Sequence, residues 1–241
     1  MSMGMIAQEA GVSDTSVLRL CRRLGFLGYT DLKVNIIEDL ARAPDSESPK
    51  DVPSGPLSPV EMVFRDCIQG LEDTLGVLGD AIDSAVDRLE RADQILIVGV
   101  GTSISVMEAL QLQLFRIGLS CSVESDSYLQ RMKVALLPTG SLVIAVSHSG
   151  ASTDPVATLR LAKQRSLDTV CLTGVSASPI TEFADVTLTS LATETRTEAV
   201  VGRVVQVALA SALAQTYAAR HPDDSAVSEA AAFHSVIDKT I

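Results

Sequence analysis

The stretch LVIAVSHSGAS, residues 142–152, decides the fold because its character changes sharply in the middle. Five apolar residues come first, and a loop of serines, one histidine and one glycine follows them. Helical periodicity begins after the loop. A short, continuously apolar strand that leads into a helix is typical of a parallel sheet covered on both faces. The stretch therefore predicts an α/β fold, with hydroxyl groups placed where a buried strand ends.

The same alternation recurs after Gln94. The apolar runs are ILIVGV, SCSVES, LVIAVS, TVCLTG and DVTLTS, and the helical stretches between them are 104–117, 127–136, 153–166 and 178–184. Five such runs predict a doubly wound, five-stranded parallel sheet. Helical periodicity also marks residues 60–91, with a break between residues 76 and 79, and residues 196–220.

A proline-rich stretch divides the chain. Residues 44–59 hold five of the nine prolines, which is typical of an extended linker rather than a helix or strand. We therefore predict four parts: an N-terminal unit of residues 1–43, a linker of residues 44–59, an α/β domain of residues 60–220, and a tail of residues 221–241.

The composition excludes several classes of protein. The net charge of −11 argues against a broad basic surface for nucleic acid, but it is compatible with a small DNA-reading element. No apolar run is long enough to cross a bilayer and no signal peptide is evident, so we expect a cytoplasmic protein without a membrane partner. The four cysteines are widely spaced and form no CxxC pair, which predicts small buried side chains rather than zinc ligands. We expect no metal and no cofactor.

Two strand ends of the predicted sheet carry small and hydroxyl-bearing residues. They are Gly99, Gly101, Thr102 and Ser103 after the first strand, and Ser147, His148, Ser149, Gly150 and Ser152 after the third. Ligands of parallel sheets bind beyond the carboxyl ends of the strands, where helix N-termini offer free N–H groups and glycines allow close approach. Serine hydroxyls add donors, so the two loops predict an anion site that needs no lysine or arginine.

These loops also admit simpler interpretations. Each loop alone is equally well explained as a tight turn followed by an N-cap serine, and only the pair favours a binding site. A nucleophilic serine beside its histidine is disfavoured, because neither loop matches the GxSxG elbow. In addition, His148 is adjacent in sequence to Ser147 and Ser149, whereas catalytic pairs are brought together by the fold.

The N-terminal unit contains IAQEAGVSDTSVLRLCRRLGFLGYTDLK. It predicts a helix over residues 6–10, a tight turn at Gly11, and a second helix capped by Ser13, with Val17, Leu20, Cys21 and Leu24 on its apolar face. Polar and basic side chains lie on the other faces: Thr15, Ser16, Arg19, Arg22 and Arg23. This layout is typical of a helix-turn-helix whose second helix enters the major groove of DNA. The alternative is a helical hairpin with a solvated basic face.

The motifs GVGTS and SHSGAST resemble those of the sugar isomerase (SIS) domain, a phosphosugar-binding module with a flavodoxin-like five-stranded parallel sheet. The resemblance implies that the phosphate is held by Ser103 and by the second loop, at Ser147, His148, Ser149 and Ser152. Enzymes of that family use a base, commonly a glutamate, and Glu194 and Glu198 stand where the last helix of the domain begins. Acidic residues are also favoured there by the helix dipole, and that explanation weighs more than catalysis. The two glutamates remain candidates for contact with the sugar.

The run VLRLCRRLGFLGYTDLK, residues 17–33, resembles the end of the helix-turn-helix in RpiR-type transcriptional regulators, which join such a unit to an SIS domain. The resemblance implies a homodimer or homotetramer that binds operator DNA and senses a phosphorylated sugar. Members of that family carry a further helix before the helix-turn-helix, so the first helix of this small all-α unit is expected to be missing. Either the true start of the chain lies further upstream, or the unit is truncated at its N-terminus. Two alternatives stay open: a phosphosugar isomerase or etherase that uses Glu194 or Glu198 as its base, and an SIS oligomer that has lost DNA binding by truncation.

Overall fold

The computed structural model of the chain describes residues 3–23, 28, 29, 32, 58–192 and 200–237. Two short helices come first, α1 (Met3–Glu9) and α2 (Asp14–Arg23), and α3 (Pro59–Leu78) and α4 (Ala81–Arg91) lead to the sheet. The sheet region consists, in order, of β1 (Ile95–Gly99), α5 (Ile104–Arg116), β2 (Cys121–Glu124), α6 (Ser127–Leu136), β3 (Leu142–Val146), α7 (Thr153–Gln164), β4 (Asp168–Thr173) and β5 (Val186–Thr189). Helices α8 (Val200–Arg220) and α9 (Pro222–Ile237) complete the described chain.

All five strands are parallel, in the order β2-β1-β3-β4-β5. This is the doubly wound, flavodoxin-like order, and it confirms the predicted fold class. The chain runs outward in opposite directions from β1 and β3. The carboxyl edge between these two strands is therefore the switch point where ligands of such sheets bind.

Alternate residues of each central strand bury their side chains on opposite faces of the sheet. In β1, Ile95 and Ile97 belong to a core cluster with side chains of α4, α5 and α8, whereas Leu96 and Val98 pack with side chains of α6 and α7. Every residue of β1 and β3 is buried. Because both faces are covered, the strand sequences are continuously apolar instead of alternating.

The long helical stretch before the sheet breaks where the sequence predicts. Helix α3 ends at Gly79, whose φ of 45° is a conformation that favours glycine. Its start is fixed by a capping box: Ser58 Oγ accepts from Glu61 N at 3.2 Å, and Ser58 N donates to the Glu61 carboxylate at 2.8 Å. Of the predicted linker, residues 44–57 lie outside the described residues. Its last two residues, Ser58 and Pro59, are the N-cap and the first residue of α3.

Three parts of the structure differ from the sequence-based expectations or add to them. The helix predicted over residues 178–184 is only a 3₁₀ turn, Thr181–Phe183, because hydrogen bonds to a neighbouring loop hold this segment. Leu20 is 54% exposed and does not share the buried face of α2 with Val17 and Cys21. The tail, for which the sequence supports no firm assignment, forms helix α9.

The cysteines of the described chain are free thiols. Cys21 and Cys171 are buried, whereas Cys67 and Cys121 are half-buried. Burial raises the pKa of Cys121 and of Cys171 to about 11, so both remain protonated at neutral pH. Within the described ranges, the His, Cys, Asp and Glu side chains form no group of three that could hold a metal ion. None of the described helices is both long and apolar enough to span a membrane.

Candidate functional site

The two hydroxyl-bearing loops lie side by side at the switch point of the sheet. They follow β1 and β3, which are separated in sequence by β2 but are neighbours in the sheet, with Gly99 paired to Val146. A Cβ atom at Gly99 would lie 2.7 Å from the Val146 carbonyl oxygen, so only glycine permits this approach. The fold thus brings together the two sets of residues that the sequence predicts as one site.

The first loop delivers a buried serine to the start of α5. After β1 the chain makes a 3₁₀ turn at Gly101–Ser103, beginning at a left-handed glycine, Gly101, with φ of 60°. Ser103 is 8% exposed and occupies the N-cap position of α5. Its hydroxyl does not cap the helix, and it is therefore available to a ligand at a helix N-terminus.

The second loop repeats this arrangement one strand away. Ser152 is the N-cap residue of α7, and its side chain makes no capping hydrogen bond. Ser147, directly after β3, is 3% exposed, and its Oγ has no hydrogen-bond partner in the described part of the chain. Ser149 is exposed and accepts from the Ala151 N–H at 3.3 Å. Gly150 turns the loop back with φ of 62°.

His148 lies against the segment that follows β4. Its ring lies against the next segment of the chain: a Cβ atom at Gly174 would be 2.8 Å from His148 Cε1. The backbone carbonyl of His148 accepts from Gly174 N at 2.8 Å and from the Thr173 hydroxyl at 3.3 Å. These contacts position the loop and pack the histidine ring against Gly174.

A buried glutamine, not predicted from the sequence, supports both loops. Gln130 of α6 is fully buried and donates to the Gly99 carbonyl at 2.8 Å, while its own carbonyl accepts from the Thr158 hydroxyl of α7 at 3.3 Å. The end of β1 is thereby joined to the helix that follows the second loop. A signal was present in the sequence, because Gln130 precedes the buried Val134 by one helical turn and interrupts an apolar face.

A second unpredicted support is the segment of residues 174–183, which follows β4. Ile180 N donates to the Gly150 carbonyl at 2.9 Å, and Gly174 N donates to His148 as described. A Cβ atom at Gly150 would collide with Ser178 Oγ, so the segment and the second loop are in tight contact. The two partners of each contact are some 25 to 30 positions apart in sequence, which no local pattern reveals.

The predicted DNA-reading residues occupy helix α2. Thr15, Ser16, Arg19 and Arg23 are exposed on it, and Val17 and Cys21 anchor the helix to Ala7 of α1. Arg22 lies in α2, but its side chain is outside the described part of the structure. The predicted base or sugar contacts, Glu194 and Glu198, also lie outside the described residues.

Comparison with known families matches both parts of the chain. Residues 88–216 match the SIS domain, and residues 1–43 match the helix-turn-helix domain of the rpiR family. The chain belongs to the RpiR family of helix-turn-helix transcriptional regulators. The resemblance seen in the sequence motifs is thereby confirmed.

Individual relatives agree with this assignment. An uncharacterized HTH-type transcriptional regulator of Thermotoga maritima is 29% identical over 227 residues, which cover 92% of this chain and 81% of that protein. The sugar isomerase domain of an RpiR transcription factor from Sphaerobacter thermophilus superposes with a TM-score of 0.65 at 29% identity, over 72% of this chain and 97% of that one. The Vibrio vulnificus NanR protein complexed with ManNAc-6P superposes with a TM-score of 0.80 at 24% identity, over 100% of this chain and 87% of that one.

Proposed function

We propose that this RpiR-family regulator senses a phosphorylated sugar, which the two serine loops hold by its phosphate. The observation that carries the proposal is the Ser147 hydroxyl, buried and without a protein partner in the described residues, between two N-cap serines that do not cap their helices. A buried polar group without a hydrogen bond is costly, so such a group points to a ligand that completes the site. The NanR structure with ManNAc-6P supports this ligand class by similarity of fold.

The chemistry of the two loops suits a phosphate. The hydroxyls of Ser103, Ser147 and Ser152 are donors, and the N-termini of α5 and α7 add backbone N–H groups and the positive ends of two helix dipoles. Each hydrogen bond to a charged group contributes roughly 1.5–3 kcal/mol, so a few donors suffice without lysine or arginine. The phosphate site is completed by backbone groups of the same loops, from Gly99, Gly101, Thr102 and Gly150. His148 and Ser149 lie at the margin of the site.

Helix α2 is the proposed contact to operator DNA. Thr15, Ser16, Arg19, Arg22 and Arg23 would face the major groove, where arginine binds guanine edges or phosphates. We propose that residues 1–43 form this DNA-binding unit, that residues 44–59 link it to the sensor domain of residues 60–220, and that two or four copies assemble. Effector binding would alter the fit of paired helices to two half-sites, through a coupling that is typically about 1–3 kcal/mol.

We further propose that the site binds its sugar phosphate without converting it. The relatives that match this chain over most of its length are transcriptional regulators. A catalytic role would need Glu194 or Glu198 as a base, and a regulator gains nothing from consuming its signal.

The decisive experiment compares two buried serines at opposite ends of β3. Ser147 follows the strand at its carboxyl end and Ser141 precedes it at the amino end, and neither hydroxyl has a partner in the described structure. The purified full chain is screened by thermal shift against glucose 6-phosphate, fructose 6-phosphate, N-acetylmannosamine 6-phosphate and inorganic phosphate. We expect Ser147→Ala to lose the shift that the best sugar phosphate produces, and Ser141→Ala to keep it. Equal shifts in both variants would contradict the phosphate site.

The same samples test the sensor against the enzyme. After incubation, the sugar phosphates are separated and identified by mass spectrometry and NMR. We expect the ligand to be recovered unchanged. Turnover that disappears in Glu194→Gln or Glu198→Gln would instead establish the isomerase or etherase.

A further inference from the structure

We propose that the segment of residues 174–183 relays occupancy of the effector site to the DNA-binding unit, because it contacts the second effector loop on one side and faces helix α1 across a cleft on the other. The inference rests on the proposed function, because it requires a ligand at the serine loops.

On the loop side the contact is direct and tight. The backbone N–H groups of Gly174 and Ile180 donate to the carbonyls of His148 and Gly150, at 2.8 and 2.9 Å. Ser178 fills the space beside Gly150, where even a Cβ atom would collide with it. A phosphate that draws the second loop toward itself must therefore displace this segment as well, because close-packed contacts transmit strain instead of absorbing it.

The segment is braced internally, so it moves as a unit. The Thr181 hydroxyl donates to the Ser178 carbonyl at 2.8 Å and accepts from Ser178 N at 3.3 Å. Ser178 Oγ donates to the Val175 carbonyl at 2.9 Å. Ser178 thus touches the effector loop at Gly150 while it is bonded to Thr181, and both residues also line a cleft on the other side of the segment.

On its other side the segment forms one wall of a cleft of about 440 Å³. Helix α1 also lines this cleft. The lining residues are Ala177, Ser178, Pro179, Thr181 and Glu182 from the segment and Met5, Gln8 and Glu9 from the helix. Between these α1 residues lies Ala7, which packs on the opposite face against Val17 and Cys21 of α2. The segment therefore stands between the effector loop, which it contacts, and α1, which it faces across the cleft and which packs on the proposed DNA-contacting helix.

The cleft also holds two like charges that could influence its width. Glu182 and Glu9 both line it, one from each wall, and like charges that share a cleft oppose its closure. The width of the cleft, and with it the position of α1, should respond to the sign of these two charges.

The test is a charge-reversal cycle in the full-length protein. We compare wild type with three variants: Glu9→Lys, Glu182→Lys and the double variant. Their binding is measured to a fluorescein-labelled DNA duplex, which is first selected from a randomised pool with the wild-type protein. Dissociation constants are measured by fluorescence anisotropy, with and without the sugar 6-phosphate that raises the melting temperature most. Asp223→Lys, an exposed acidic residue on α9, is the matched control.

Each single reversal turns repulsion into attraction, and the double variant restores repulsion between two lysines. We expect each single variant to change the ratio of the two dissociation constants about two- to fivefold, the range for exposed charge pairs. The ratio should return to within about twofold of wild type in the double variant and stay unchanged in the control. A general gain in DNA affinity from Glu9→Lys affects both conditions and cancels in the ratio.

The outcomes separate the relay from the effector proposal. If the wild-type protein responds to the sugar phosphate and every variant responds equally, the relay is wrong and the effector site stands. If no sugar phosphate shifts the wild-type melting temperature, the effector proposal fails. In that case the dissociation constants for DNA without ligand are compared among the four proteins. Additive effects of the two charge reversals would contradict an interaction between α1 and the segment, whereas non-additive effects would support it.

Discussion

At the scale of single residues, the buried hydroxyl groups fall into two classes: those with a hydrogen-bond partner in the described protein and those without one. Most buried threonines and serines of the α/β domain are satisfied: Thr158 donates to Gln130, Thr74 to the Leu191 carbonyl, and Ser190 to the Thr173 carbonyl. Ser147 departs from this rule at the one edge of the sheet where ligands are expected. We therefore propose that this hydroxyl serves ligand binding, since it forms no hydrogen bond within the described part of the chain.

Gly150 offers a test of how tightly the second loop is held. Its left-handed φ and the nearby Ser178 side chain both oppose a side chain at this position. Gly101 of the first loop has a similar φ of 60°, but a Cβ atom there would meet nothing within 4 Å. A substitution at Gly101 therefore measures the loss of stability that comes from backbone conformation alone. We expect Gly101→Ala to lower the free energy of unfolding by about 1 kcal/mol and Gly150→Ala by roughly 2–4 kcal/mol, in urea titrations. Equal losses would show that Ser178 moves aside without strain.

At the scale of elements, the amino edge of the sheet is held together by charge. Asp185, at the start of β5, accepts from the backbone and hydroxyl of Thr169 in β4, at 3.0 and 2.9 Å, and pairs with Lys163 of α7. Burial on its own would raise the pKa of Asp185, but the hydrogen bonds from Lys163 and Thr169 outweigh it and hold that pKa below its usual value. One carboxylate thus joins two strands and a helix.

This carboxylate predicts a pH-dependent stability. A carboxyl whose pKa is lowered in the folded state stabilises it above the unfolded pKa, near 3.8, and the contribution is lost as the pH falls through the folded pKa. We expect Asp185→Asn to lower the free energy of unfolding by roughly 1–3 kcal/mol at pH 7. The difference from wild type should shrink progressively below about pH 4.

The measurement is urea unfolding of both proteins between pH 3 and pH 7. Asp80→Asn is the control, because Asp80 is exposed at the start of α4 and its side chain makes no capping hydrogen bond. Its effect should stay below about 0.5 kcal/mol. A constant difference between Asp185→Asn and wild type across this range would contradict the role assigned to the ionised carboxylate.

Elements with a strong local pattern were predictable, and those defined by distant contacts were not. The five strands follow from continuous apolar runs, and the break after α3 follows from Gly79. The 174–183 segment escaped prediction because its shape depends on hydrogen bonds to a loop some 25 to 30 residues earlier. For Gln130 the local pattern indicated a buried polar side chain, but not its partners, which lie in β1 and α7. The sequence thus located the serines but not the residues that hold them in place.

At the scale of the whole molecule, one surface of helix α3 remains without cover in the described part of the chain. Five apolar residues repeat at helical spacing along this surface: Val60, Phe64, Ile68, Leu71 and Leu75. Of these, Phe64 is 67% exposed and Leu75 is 75% exposed. The opposite face of α3 packs against α8 and the residues after β5, where Thr74 exchanges hydrogen bonds with Leu191. An exposed apolar stripe of this length is typical of an interface.

We propose that a second copy of the chain covers this stripe. A helix-turn-helix regulator reads two half-sites with two subunits, and a two-fold interface uses the same patch on both. We expect the double variant Phe64→Glu/Leu75→Glu to elute as a monomer in size-exclusion chromatography with light scattering, where the wild type has at least twice that mass. Leu136→Glu, which alters an equally exposed leucine (79%) at the end of α6, should leave the mass unchanged.

The same variants separate assembly from sensing. A monomer can occupy only one half-site, so we expect its affinity for the selected duplex to fall by more than about tenfold, since half of the protein–DNA contacts are lost. Its thermal shift with the sugar phosphate should persist, because α3 contributes no residue to the serine loops. If the monomer also loses the thermal shift, the effector site must be completed by the partner subunit, and the two serine loops of one chain are not sufficient to bind the ligand.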